Sequence, residues 1–425
     1  MKKSILTILL LLILAFAGKA QKDVVGMPYS FTHKDISMAI DKIALPTVDK
    51  VALMAEDDIS IKNGSPMRIG IGHSVGYTFE NCGRTDILPN GAKLWRLELS
   101  SEGALAMDVH FSQFNIPDGA TLYIYNQDRS QLTGTYTNAD IQESGIMVSE
   151  DIYDDNLIIE YYEPADVLFH GSILISSISH RYRGVAGRED DSKSSGTCHY
   201  NVRCPQGDPW RDQINAVVRI VITAPTGEEY LCSGTLINNV RKDRTPYVLS
   251  ANHCLNGYDN CTFKFYFNYE TLDCNEYNYG MANRRATGGT VIATDGLNNS
   301  SDFLLLKITG NLSNVWRDSI VFAGWDASGA ASVGAAIHHP KGDFKKISFP
   351  KSVVSSYDMP KYWTVNWYTN PNKGCTEQGS SGSALFNSRG RIMEHPLAKT
   401  HGEQTTMVNY PILGPTTTPL SPTRN

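Results

Sequence analysis

At 425 residues the chain exceeds one ordinary domain, and two or three are expected. Hydrophobic residues make up 41% and charged ones 19%, enough apolar side chain for sizeable cores. A net charge of -6 gives no polycation and argues against nucleic acid as a partner.

Met1-Lys2-Lys3 precedes an apolar run from Ile5 to Ala17, which exits through Gly18-Lys19-Ala20-Gln21. A basic start, a short apolar stretch and small exit residues describe a secretory signal peptide over residues 1–20, cut after Ala20. The run is shorter than the roughly 20 residues a membrane anchor needs. The mature protein is therefore expected to be secreted, extracellular or periplasmic, with no membrane contact after signal removal. Export makes the eight cysteines candidate cross-links, and no Cys-x-x-Cys pair argues for metal instead.

Residues 21 to 60 are weakly patterned and hold a short helix. From 67 to 182, short β-like runs alternate with turn signals. Asn90-Gly91 precedes Lys93–Leu99, and Pro117-Asp118-Gly119 separates Met107–Phe111 from Thr121–Tyr125. Asn156–Tyr162 and Ser172–Ile175 continue the pattern. Many short strands joined by Gly, Asn and Asp turns predict a β-sandwich. Arg183–Gly196 is charged, small and without hydrophobic period, an exposed linker suited to cleavage. Beyond Cys198 come the buried-strand run Ala216–Ile222, the strands Leu231–Ile237 and Tyr247–Ser250, and a last strand over Asn366–Thr369 before a Gly-Ser loop.

Three fragments carry chemistry: Ser250-Ala251-Asn252-His253-Cys254, Ser301-Asp302-Phe303, and Gly379-Ser380-Ser381-Gly382-Ser383. A Ser hydroxyl needs a base to take its proton, and a neutral His serves if a carboxylate fixes its tautomer. His253 suits the base, Asp302 the orienting acid and Ser381 the nucleophile. The N–H groups of Gly379 and Ser381 would form an oxyanion hole. The order His, Asp, Ser along the chain is that of a chymotrypsin-like serine protease; other folds carry the triad in other orders. A bridge between Cys232 and Cys254 would tie a strand to the loop holding His253. His338-His339 is a poor chelating pair, because adjacent strand residues point to opposite faces.

Residues 198–392 resemble the bacterial lysyl endopeptidases, secreted trypsin-like proteases made with a long propeptide. The resemblance rests on Gly196-Thr197-Cys198, Cys204-Pro205-Gln206-Gly207-Asp208, the three fragments above, Ala323-Gly324-Trp325-Asp326, Ile337-His338-His339-Pro340 and Thr376-Glu377-Gln378. It implies the triad His253, Asp302 and Ser381, the disulfides Cys232–Cys254 and Cys204–Cys274, and cleavage of peptide bonds after lysine. It also implies no metal or organic cofactor. Self-cleavage after Lys193 would suit such an enzyme.

The expected architecture is all-β. A signal peptide (1–20) precedes a propeptide (21–193) with its β-sandwich (67–182) and linker (183–193). A trypsin-like double β-barrel (194–392) and an atypical tail (393–425) complete the chain. The expected partners are protein or peptide substrates and the chain's own propeptide, with the enzyme a monomer.

The tail departs from the family. It has five prolines, little strand pattern and no Asp, so the acid that selects lysine has no evident counterpart. The last barrel strand and terminal helix are expected to be missing. Glu394 or Glu403 would be substitutes for the acid. Seven cysteines follow Lys193, an odd number. The family's partner for Cys198 would fall in the unmatched tail, which leaves Cys261 and Cys375 to pair. An inactive protease remnant acting as an exported β-sandwich binding protein, or a protease of other specificity, are the alternatives.

Overall fold

The computed structural model describes residues 26–408 except 34–35, 38, 142–144, 185–194, 276–283, 297–300, 311, 313–319, 327, 329–332, 356–361, 369–372, 395–398 and 402–403. Ala20, Lys193 and Glu403 lie outside the described residues, as does the side chain of Glu394.

Alternating apolar runs build the N-terminal half from β1 (Asp41–Ala44), β2 (Met67–Tyr77), β3 (Arg84–Ile87), β4 (Lys93–Ser100) and β5 (Ala106–Asn115). These are followed by β6 (Thr121–Tyr125), β7 (Leu132–Tyr136), β8 (Met147–Val148), β9 (Asn156–Glu163) and β10 (Ser172–Arg181). One sheet has the order β1-β4-β9-β6-β7 with β3 beside β4; the other carries β2-β10-β5-β8. Leu97, Leu99, Val109, Phe111, Ile159 and Ile175 meet between them in one core, which is the packing of a β-sandwich. The helix Lys50–Lys62 is started by Asp49, whose carboxylate accepts the Ala52 N–H.

The C-terminal half comprises β11 (Tyr200–Asn201), β12 (Val217–Thr223), β13 (Glu229–Ile237), β14 (Tyr247–Ala251), β15 (Thr262–Phe267), β16 (Arg284–Thr287), β17 (Gly289–Thr294) and β18 (Phe303–Ile308). Strands β16-β15-β12-β13-β14-β18-β17 form a continuous strip. Gly288 joins its two ends, donating to Phe263 and accepting from Thr309. Alternate residues (Val218, Ile220, Ile222; Phe263, Phe265; Leu304, Leu306) fill the nearly closed barrel. The intervening Val217 lies in a second core with Ile237, Leu249, Ile337, Phe386 and Ile392.

The remaining strands are β19 (Ala335–His338), β20 (Lys346–Ser348), β21 (Pro350–Ser355), β22 (Tyr362–Trp367), β23 (Ala384–Phe386), β24 (Ile392–Glu394), β25 (Lys399–His401) and β26 (Gln404–Val408). They form the sheets β11-β20-β19-β23-β24 and β21-β22-β26-β25. β19, β20, β23 and β24 line that second core, while Val365 and Trp367 of β22 pack with Ala336, Leu385 and Met393 in a separate cluster. The expectation of a tail with little strand pattern is corrected here. β26 lies antiparallel on β22, from Tyr362↔Val408 to Asn366↔Gln404. The β-branched run Thr405, Thr406 and Val408 suits a strand, and pairing covers an edge of β22.

Strand β2 belongs to both halves. It pairs with β10 inside the sandwich and with β13 of the barrel, in the register Glu229↔Gly70, Tyr230↔Arg68 and Leu231↔Met67.

Candidate active site

Strand pairing brings two of the candidate residues together. β14 runs antiparallel to β18 with Ala251 opposite Phe303, so the next positions outward set Asn252 and His253 against Asp302. The Asn252 N–H donates to the Asp302 carbonyl at 2.8 Å. Asp302 Oδ1 accepts the His253 backbone N–H at 2.8 Å, and Oδ2 lies 2.7 Å from His253 Nδ1. Asp302 is fully buried and holds a left-handed φ of 50°. Asp tolerates that region better than most residues, and such local strain is concentrated at functional sites. With a proton on Nδ1 pointing at the carboxylate, Nε2 is left as the basic nitrogen.

Ser381 is fastened to the same barrel. Its carbonyl accepts the Ser233 N–H of β13 at 2.8 Å. The Ser233 hydroxyl donates to the Gly379 carbonyl at 2.8 Å and accepts the His339 N–H at 2.9 Å. Ser250 Oγ donates to the Ser233 carbonyl at 2.9 Å. Gly382 has φ 79°, and a Cβ there would meet Ser250 Oγ at 2.2 Å and the Ser233 carbonyl at 2.5 Å. Only glycine fits. His253 Nε2 and Ser381 Oγ share no hydrogen bond among the described residues, as is common before substrate binds.

The turn around Gly379 (φ 81°) directs the Gln378 carbonyl to the Lys341 N–H. Neither Gly379 N–H nor Ser381 N–H has an acceptor among the described residues. Two unspent donors flanking one residue are what an oxyanion hole requires.

Behind this loop, Ser380 Oγ bonds His338 Nδ1 at 2.7 Å, and His338 Nε2 reaches Ser348 Oγ at 3.1 Å. His338 is fully buried, which drives its basicity well down and keeps the ring neutral. His339 Nδ1 pairs with the Asp343 carbonyl at 3.0 Å. The His-His pair thus braces the Ser381 loop.

Glu377 accepts from the Gly196 N–H and His199 Nε2, both at 2.8 Å, and from Lys341 at 3.2 Å. Burial pushes its carboxyl up, but these donors outweigh it and hold it down at about 2. Ser195 and Gly196, expected in an exposed linker, are half-buried here, because Glu377 and Asp343 bind them.

Sequence reasoning missed Ser233 and His199, and it quoted Ser250, Glu377 and His338 within motifs without the hydrogen bonds they make here. The signal for the two serines was a hydroxyl inside an otherwise apolar strand, since a buried polar group demands a partner.

Three disulfides are formed: Cys204–Cys274, Cys232–Cys254 and Cys198–Cys375. The third overturns two expectations. Cys198 finds its partner just before the Ser381 loop rather than in the tail, and Cys261 does not pair with Cys375. Cys82 and Cys261 are free thiols, and burial pushes the Cys261 thiol up to about 12.

Residues 192–404, half of the chain, match the family described as lysyl endopeptidase, C-terminal domain. The chain belongs to the lysyl endopeptidase family. It is therefore a serine endopeptidase of all-β fold. A lysyl endopeptidase of Pseudomonas aeruginosa is 28% identical over 380 residues, spanning 84% of this chain and 78% of that protein. The solved serine endoprotease from Yersinia pestis aligns with 48% of this chain at 15% identity and a TM-score of 0.35, and the chain spans 62% of its length. The active form of the Rv3671c protease from M. tuberculosis aligns with 53% of this chain and 89% of its own at 15% identity, with a TM-score of 0.34.

Proposed function

We propose that residues 194–392 hydrolyse peptide bonds through an acyl-enzyme formed on Ser381. His253 Nε2 takes the Ser381 proton as Oγ attacks the scissile carbonyl, then gives it to the leaving amine. Asp302 fixes the ring and stabilises the imidazolium. The N–H groups of Gly379 and Ser381 bind the oxyanion. Water attacks the acyl-enzyme in the second half, with His253 again as base. The observation that carries this reading is the His253–Asp302 pair at 2.7 Å, on the barrel wall to which Ser233 ties the Ser381 loop.

Cleavage after lysine is supported by family membership and by the name of the Pseudomonas relative. Residues 21–193 are read as a propeptide, with its sandwich over 67–182 and release after Lys193. Export after loss of residues 1–20 fits the three disulfides. No described helix is long and apolar enough to cross a membrane. The test is cleavage of a lysyl peptide amide by the purified protein. Activity that disappears in Ser381→Ala and in His253→Ala supports the reading, and unchanged activity in either variant removes it.

A further inference from the structure

One edge of β13 serves three partners in series. Residues 229–231 pair with β2, Ser233 bonds the Ser381 carbonyl, and residues 235–237 pair with β14. Leu231 and Ser233 are two residues apart, about 7 Å of extended chain. The backbone edge beside the proposed nucleophile is thus filled by a strand of the N-terminal half.

An unpaired strand edge is a template for any extended peptide. A substrate with its scissile carbonyl at Ser381 has the chain on one side of that bond within reach of residues 229–231. We propose that this edge is a peptide-binding site for extended substrate, and that β2 occupies it in the intact chain and keeps the enzyme latent. The inference rests on the serine protease reading above.

The occupant is bolted in place. Arg68 of β2 donates to Glu228 at 3.3 Å as well as to Asp57 (2.8 Å) and Glu56 (2.8 Å) of the helix Lys50–Lys62. The other oxygen of Glu228 accepts the Tyr258 hydroxyl at 2.8 Å, just after the turn that carries His253. Gly72 and Gly227 pack so closely that a Cβ on Gly72 would lie 2.5 Å from the Gly227 Cα.

Beneath, the buried charges are exchanged between halves. Arg181 of β10 donates to Glu229 of β13 at 2.9 Å, while Lys264 of β15 donates to Asp108 (2.6 Å) and Asp151 (2.7 Å) of the sandwich. Separating the halves would strand each of these charges.

The experiment compares two substrates on the full chain: a lysyl ester with nothing beyond the reacting bond, and a peptide running four residues past its lysine. Arg68→Cys with Tyr230→Cys places a cross-strand disulfide on the observed register and locks β2 down. Arg68→Ala loosens it. The expected result is ester hydrolysis by every form, with peptide cleavage at least tenfold lower in the locked chain and restored by mild reductant. Wild type under the same reductant is the control. Arg68→Ala should raise the peptide-to-ester ratio several-fold. Ester hydrolysis by the locked chain shows that it is folded. Equal ratios in locked, reduced and Arg68→Ala forms would overturn the latency while the protease reading stands. Hydrolysis of neither substrate by any form would overturn the protease reading, and the inference with it.

Discussion

Asp302 binds His253 twice: its two carboxylate oxygens take the backbone N–H at 2.8 Å and meet ring Nδ1 at 2.7 Å. A single side chain therefore sets both the position and the tautomer of the ring. Asp302→Asn keeps the shape and the left-handed backbone but presents an amide to one of these sites. We expect kcat/KM to fall by about 10³–10⁴ at neutral pH with the fold intact. Steady-state kinetics beside a circular dichroism spectrum decides it, and a loss under tenfold would remove Asp302 from the orienting role.

Gly382 offers a steric test of the Ser381 loop. Alanine there must displace Ser250 Oγ or the Ser233 carbonyl, at a φ that L-residues avoid. We expect Gly382→Ala to lower kcat by at least about 100-fold, the scale of losing an oxyanion donor. Gly64→Ala has the same sign of φ but nothing within 4 Å, and should cost only about 1 kcal/mol of stability with kcat unchanged.

The Cys198–Cys375 bridge spans 177 residues and fixes the segment after Lys193 to the approach of the Ser381 loop. Replacing both cysteines with Ser should lower stability by about 5 kcal/mol on the chain-entropy account. Denaturant unfolding of the double variant measures it. A loss below 1 kcal/mol would mean that Glu377, through Gly196 and His199, already holds this segment.

How much of this was legible in the sequence depends on whether a feature is local. His253, Asp302 and Ser381 each sit in a fragment whose neighbours serve the same site: Cys254 forms the bridge, Phe303 opens a strand, Gly382 makes the only turn that fits. The strands over 93–99, 121–125, 156–162 and 216–222 announced themselves by period and turn residues. Long-range pairings leave no such trace. Nothing in Met67–Tyr77 shows that β2 joins two sheets. The alternation in Met107–Phe111 is that of a half-exposed strand, yet Asp108 and His110 are buried because Lys264 and Ser179 lie over them. The Cys198 partner was missed for the same reason, since connectivity among seven cysteines follows from the fold and not from spacing.

The junction between the halves predicts a pH dependence. Glu229 shares its burial site with Asp108 and His110 of β5, Glu150, Asp151 and Tyr153 of the segment between β8 and β9, Arg181 of β10, Lys264 and Tyr266 of β15, and Arg285 of β16. Arg285 is engaged by Glu150, which leaves Asp108, Asp151 and Glu229 facing the two cations Arg181 and Lys264. One carboxylate is in excess. Burial raises the Glu229 carboxyl to about 7, with Arg181 opposing and Asp108 adding to the rise. Asp108 and Asp151 are also penalised by burial, but Lys264 and His110 hold Asp108 low, and Arg181 and Lys264 hold Asp151 low. The sign for Glu229 follows from linkage: its folded value lies above the ordinary 4.5, so its contribution is full below pH 4.5 and is lost as pH rises through about 7. The two aspartates act in the opposite sense, contributing above their ordinary 3.8 and losing that only in strong acid. Thermal unfolding should therefore shift to lower temperature as pH rises from about 4.5 to about 7, the interval between the ordinary and the folded value of Glu229, and level off above it. Glu229→Gln, which keeps the shape without the charge, should flatten that slope. An unchanged slope in the variant would place the titration on another group of the cluster.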